Sequence, residues 1–239
     1  AKTSNNTVSF TYSPIKYWPN NANDKLSFFA YYPWNNFSNS SFGIGIENID
    51  DESKMCARFN VNDNPSEQID FMLSNLIKDM TYQNTNNNGK ITFVFYHVLS
   101  LINIKLSIDP DMKTVAKLNI NSASITGLYN AGTCHPSFDA SLIKPKFTWT
   151  PYFKSGTSSQ QYVLDSNVLS SSTSNQTANT LLMVPQQLNT DVVFTINYDI
   201  IFIDSKGNEK YRYTNNEQNV VLRNSGNITE WLPGKKYKH

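Results

Sequence analysis

Apolar and polar positions alternate with a period of two through most of the chain, which predicts strands rather than helices. The clearest case lies between Val192 and Phe202. There every even position (Val192, Phe194, Ile196, Tyr198, Ile200, Phe202) is apolar, while Thr195, Asn197 and Asp199 interrupt the odd ones. Successive strand side chains point to opposite faces, so this pattern is one apolar face and one mixed face. Asp204 to Asn208, with Lys206 and Gly207 central, reads as a hairpin turn feeding Tyr211 to Thr214, and Val220 to Leu222 as a further short strand. Upstream, Val115 to Ile125 opens another set of strands that turns near Gly132, and Trp149 lies in a short extended piece ending at Pro151.

Two earlier stretches carry the same period. Ile91, Phe93 and Phe95 alternate with Thr92 and Val94, and Ile102, Ile104, Leu106 and Ile108 alternate with Asn103, Lys105 and Ser107. The run is too long for one flat strand, so His97 to Ser100 is expected to be a kink, bulge or crossover, with His97 hydrogen-bonding the bend. Nearer the start, Tyr17 to Pro33 reads YWPNNANDKLSFFAYYP. Proline at 19 and 33 closes each aromatic burst, which predicts a short strand from Leu26 to Tyr32. Leu26, Phe28, Ala30 and Tyr32 would share one face and Phe29 and Tyr31 the other, an interior pattern.

One segment resists the β pattern. Asn64, Pro65 and Glu67 fit the N-cap, N1 and N3 positions of a helix, and Ile69, Met72, Leu73, Leu76, Ile77 and Met80 follow at helical spacing. The periodicity predicts a helix over 65–80. Beyond the strands, Asp109, Pro110 and Asp111 separate two strand clusters and mark a boundary between domains of residues 1–110 and 111–239. Two domains also suit a chain of 239 residues.

Composition narrows the function. Charged residues make up 16% of the chain against the usual roughly 25%, and 32 asparagines supply turns instead. A formal net charge of +1 with no basic stripe leaves no electrostatic footprint for nucleic acid or an anionic membrane. No run approaches the roughly 18 apolar residues of a transmembrane span, and no basic-then-apolar leader precedes Ala1. Cys56 and Cys134 are the only cysteines, without CxxC spacing, and read as two free, buried thiols. A disulfide between them stays open as the alternative, disfavoured by their falling in different expected domains.

No catalytic constellation emerges. Asp50, Asp51 and Glu52 form a solvated acidic run without the spacing of a glycosidase pair, and Ser170 to Ser172 lie in low complexity without a nucleophile elbow. There is no Gly-rich phosphate loop, and no second ligand stands at metal spacing from His97. The expectation is a chain that is not an enzyme, with no catalytic residue, no cofactor and no metal.

The order of several weak patterns is more informative than any one. YWP and LSFFAYYP are followed by QIDFML at Gln68 to Leu73 and GKITFVFYHVLSLINIKLSI from Gly89 to Ile108. ASITGLYNAGT at Ala123 to Thr133, LLMVPQQL at Leu181 to Leu188 and the ending WLPGKKYKH complete the series. With these the chain resembles the fimbrillin-like pilin subunits of Bacteroidetes, fimbrial and surface adhesin proteins made as lipoprotein precursors. The resemblance implies an all-β fold of two tandem transthyretin-like β-sandwich domains of Ig-like topology. It also implies a short strand at Gln68 to Leu73, where the spacing reads helix. Against the family pattern, strands are missing before YWP and after PGKKY, so the first domain is expected to be incomplete at its start and the second to lack its last strand. The rings of Phe28, Phe29, Tyr31 and Tyr32 would then await strands from elsewhere.

The implied function is that of a structural subunit of a surface fimbria or adhesin, mediating attachment and located at the cell surface or on an outer-membrane-anchored precursor. Its partners would be other fimbrial subunits, joined by strand donation into an open sheet edge, together with surface glycans or proteins of host or bacteria. The rival reading from the residues is a carbohydrate-binding module in which exposed Trp34, Trp149 or Trp231 stack on sugar faces beside Asn amides. An exposed, coplanar aromatic pair in a groove together with measurable glycan binding would favour the rival, and an incomplete sheet edge with concentration-dependent assembly the pilin.

Overall fold

A computed structural model describes residues 2–4, 7–9, 16–21, 23–33, 43–48, 50–84, 89–104, 106, 109–139, 141–154, 160–164, 180–224 and 227–239. Among them the fold is all-β, and the helical elements are three single 3-10 turns at Pro65–Glu67, Pro110–Met112 and Leu222–Asn224. Contacts divide the chain into two units, one of residues 1–30 and 74–94, the other of residues 31–73 and 95–239.

In the smaller unit Lys2–Ser4 pairs with Thr7–Ser9, and Leu26–Phe28 pairs antiparallel with Ile77–Met80. Trp18 anchors it: its indole N–H donates to the Gly89 carbonyl at 3.2 Å, and its ring meets Phe28 and Tyr82 edge-on. The aromatic burst is not one strand. Leu26–Phe28 and Tyr31–Tyr32 are separated at Ala30, whose N–H donates to the Ser74 hydroxyl at 2.8 Å in place of a ladder partner.

The larger unit holds two four-stranded sheets. One orders Lys146–Tyr152, Ala131–Ser137, Cys56–Asn60 and Gly43–Glu47, and the other orders Gln160–Leu164, Ala116–Leu128, Val193–Ile203 and Glu209–Val221. The first accommodates Pro151 because the strand that carries it lies at the sheet's edge, where a missing N–H costs no ladder bond. Ser100–Asn103 lies between Thr180–Met183 and the C-terminal Lys236–Lys238, antiparallel to the former and parallel to the latter. Strands from either side of the Pro110–Met112 turn thus share sheets, as Cys56–Asn60 does with Ala131–Ser137.

The expected bend at His97 to Ser100 is present: strand Phe95–His97 ends, Val98 and Leu99 turn inward, and Ser100–Asn103 begins. The Leu99 carbonyl accepts from the N–H of Gly234 at 2.9 Å. Gly234 adopts φ +66°, and a Cβ there would meet the His97 carbonyl oxygen at 2.8 Å, so the terminal strand docks only through glycine. His97 itself joins Asp70 through Nδ1.

The helix expected over 65–80 is absent. Asn64 does cap: its side chain accepts from the Ser66 N–H at 3.1 Å, but the turn stops at Glu67. Met72–Ser74 and Ile77–Met80 follow as strands, and Met72–Ser74 pairs with Tyr31–Tyr32. Phe71 and Leu73 are fully buried, at alternate positions, while Ile69 is exposed. Phe71 stacks on Phe59 with ring centroids 5.0 Å apart, and Trp149 meets it edge-on. This long-range aromatic core outweighs the local helical spacing.

Cys56 and Cys134 are both free and buried. Cys134 stands opposite Ala57, so Cys56, its neighbour in sequence, points to the other face of the same sheet and cannot bridge to it. Burial pushes both thiols up, with the Glu47 carboxylate adding to the effect at Cys56.

A polar knot fixes the strands of the second sheet. At paired irregularities near Ile120/Ser122 and Tyr198/Ile200, buried Asp199 accepts from Asn121 Nδ2 at 2.8 Å and from the Asn215 N–H at 3.1 Å. Arg212 reaches Asp199 at 3.4 Å and holds Glu209 at 2.7 Å. Asn215 adopts φ +56°, the left-handed region that asparagine tolerates. The Asn121 and Asn215 hydrogen bonds and the Arg212 charge hold the Asp199 carboxyl below its usual range.

Truncating Phe71 to Ala is expected to lower the unfolding free energy by about 3–5 kcal/mol in a denaturant titration. Neither thiol is expected to react with a maleimide until the chain is unfolded, and intact mass should show no loss of two hydrogens after mild oxidation. Because the folded Asp199 carboxyl titrates below its ordinary value, its stabilising contribution is present above about pH 4 and is lost as pH falls through the lowered folded value. Asp199→Asn should therefore reduce Tm at neutral pH and flatten the acid limb of the Tm profile.

Candidate functional site

The alternation read from Val192 to Phe202 becomes a real strand, Val193–Ile203, but its apolar face is unevenly covered. Val192, Phe194 and Ile196 are buried, whereas Tyr198, Ile200 and Phe202 are half-buried. On the inner side these three stand opposite Ile120, Leu118 and Ala116. On the outer side Tyr211 stands opposite Phe202, Tyr213 opposite Ile200 and Asn216 opposite Tyr198. Residues directly opposite in a ladder share a face, so the apolar face runs on across Glu209–Val221.

That strand is 13 residues long, lies at the end of its sheet and bonds to one neighbour among the described residues. Almost all of it is exposed on both faces, Tyr211 at 70% and Tyr213 at 61%. The hairpin feeding it is closed as expected: Gly207 donates to the Asp204 carbonyl at 2.9 Å, and the Asp204 carboxylate accepts from the N–H groups of Lys206 and Asn208.

Ile200, Phe202, Tyr211, Tyr213 and Asn216 line a shallow groove of about 470 Å³. Tyr213 meets Phe202 edge-on with centroids 5.9 Å apart. The Asn216 amide donates to the carbonyls of Tyr198 and Tyr213 at 3.2 and 3.0 Å, which fixes the groove floor at the irregularity in the ladder. Arg212, opposite Ile201, and Glu217, opposite Asn197, stand on the other face.

The tryptophans weighed for sugar stacking are placed otherwise. Trp231 is buried and donates to His239 Nε2 at 3.2 Å, and burial holds that imidazole below its usual pKa. Trp149 is half-buried, opposite Cys134 and against Gly132, where a Cβ would lie 2.8 Å from its ring. Trp34 and Ser170 to Ser172 lie outside the described residues. In the acidic run Asp51 accepts from the Ser53 N–H and hydroxyl and pairs with Lys54, which holds its carboxyl low and occupies it in a turn. Among the described residues no three His, Cys, Asp or Glu side chains gather as a metal site. No helix among them is long and apolar enough to cross a membrane.

In sequence Tyr211 and Tyr213 carry no functional signal, because a Tyr-x-Tyr pair on a predicted strand reads as ordinary packing. Their signal lies in the pairing: they extend the even face of Val193–Ile203 beyond its cover. No curated protein matches the chain. A solved structure described as a "putative cell adhesion protein" from Bacteroides uniformis aligns over 92% of this chain and 69% of its own. The identity is 16% and the TM-score 0.48. The family model described as fimbrillin-like matches residues 1–239, the whole of the sequence. The chain belongs to the fimbrillin-like family.

Proposed function

We propose that the chain is a structural subunit of a cell-surface fimbria or adhesin, that it joins its neighbours through the open edge of Glu209–Val221, and that it mediates attachment. The observation that carries this reading is the edge itself. A 13-residue strand with one bonded neighbour among the described residues presents a row of backbone N–H and C=O groups along its other side. Such a row accepts an added strand from another polypeptide, with main-chain bonds giving affinity and side chains giving specificity.

The strand also carries features that restrain unselective pairing. Lys210, Arg212 and Glu217 place charge along it, and Asn215 at φ +56° interrupts its regularity. Edges that must avoid random aggregation are blunted by such means, so pairing here requires a complementary partner. Family membership supports a structural rather than a catalytic role. Other subunits of the same fibre are the partners proposed for the edge, and the cell surface is the location.

A photo-cross-linking residue in place of Thr214 or Asn219 is expected to link the chain to a neighbouring subunit in assembled surface material. The same residue in place of Thr133, on a strand paired on both sides, should give no such link. Only unlinked chain from all three positions, in material shown to be assembled, would overturn the proposed contact.

A further inference from the structure

We propose that the face of the same ribbon, as distinct from its edge, is a binding site for a neutral carbohydrate chain. The groove between Ile200, Phe202, Tyr211, Tyr213 and Asn216 supplies what an uncharged sugar requires. A pyranose presents a flat patch of C–H groups surrounded by hydroxyls, which calls for exposed aromatic surface beside fixed amide and hydroxyl groups. Tyr211 and Tyr213 provide rings and phenolic hydroxyls, at 70% and 61% exposure, on alternate positions of one strand. Phe202 and Ile200 form the apolar floor. Asn216 already uses its amide hydrogens on the Tyr198 and Tyr213 carbonyls, so its carbonyl oxygen is the acceptor it brings. Gln218, next on the same face opposite Ile196, extends the amide row.

Charge selects against the other occupants. No ionised side chain lines the groove. The nearest guanidinium, Arg212, belongs to the opposite face and is committed to Glu209 and Asp199. An anionic glycan or acidic peptide finds no cation there. Size argues in the same direction. Five residues line this open groove, the footprint of a short sugar chain, whereas a stable protein contact needs about 20–30 residues a side. A strand bonded to the edge lies in the plane of the sheet, so it leaves this face open.

The inference goes beyond the proposed assembly role, and its test separates the two. Maltohexaose, xylohexaose, cellohexaose and mannohexaose, with sialyllactose as the anionic control, are titrated against the intact chain by saturation-transfer NMR and calorimetry. At least one neutral hexaose is expected to bind with an affinity insensitive to salt, and Tyr211→Ala and Tyr213→Ala should each weaken it about tenfold. Both tyrosines are mostly exposed, so circular dichroism and Tm should remain close to wild type. Gln218→Ala should weaken binding less, and Lys117→Gln, at an exposed position opposite Ile201 on the other face of the sheet, should leave it unchanged. Absence of binding by every neutral hexaose up to about 5 mM overturns the inference. So does binding that persists in the Tyr211→Ala, Tyr213→Ala double variant, or binding that follows the anionic control and fades with salt. If the double variant instead abolishes the subunit cross-links from Thr214 and Asn219, the face is a subunit contact and the carbohydrate reading fails. Retained cross-links with lost sugar binding establish both.

Discussion

The antiparallel pairing of Val193–Ile203 with a neighbour on each side is the constraint on which the functional surface depends. Buried backbone donors and acceptors must find partners, and this strand is laddered to Ala116–Leu128 on one side and to Glu209–Val221 on the other, with the Asn216 amide serving the Tyr198 carbonyl where the outer ladder breaks. The outer strand is thereby aligned over 13 residues but receives a partner on one side only among the described residues. Its unpaired groups are affordable because they face water. The same pairing carries the apolar face outward, past the point at which other elements cover it.

The Asp199 knot sets where that face lies. A register irregularity in the strand pair shifts which residues oppose each other, and without it Tyr211 and Tyr213 would not both stand opposite Phe202 and Ile200. Asp199 occupies the mixed face, accepts from Asn121 and Asn215, and draws Arg212 across to itself and Glu209. Asp199, Arg212 and Glu209 are thus gathered on one side, while the groove residues on the other are aromatic, aliphatic and amide. Two surfaces of different chemistry come from one strand: an edge of backbone groups and a face of rings and amides.

Much of this was legible in the residues. The even-position run from Val192 to Phe202, the Asp204 to Asn208 turn and the break at His97 to Ser100 each rest on local periodicity or turn chemistry, and each is present. The segment over 65–80 misled because its apolar spacing fits a helix, while its fate was decided by Phe59 and Trp149, distant in sequence. The Leu26 to Tyr32 burst misled for a related reason, since the Ser74 hydroxyl interrupts the ladder at Ala30. Trp149 and Trp231 were the natural candidates for sugar stacking, but ring size says nothing about cover. Whether an aromatic residue is exposed depends on which strands overlie it, and that is a property of topology. For the same reason Tyr211 and Tyr213 emerge only once the register of the outer strand is known.

The central claim is that Glu209–Val221 is an unfilled edge that becomes filled on assembly, and amide hydrogen exchange of the outer strand tests it most directly. In the isolated chain, amides of residues 209–221 that point away from Val193–Ile203 should exchange at rates near those of exposed backbone. In assembled surface material the same amides should become strongly protected, while those of residues 131–134, already paired on both sides, should change little. Protection of residues 209–221 that is identical in isolated and assembled chains would contradict the account.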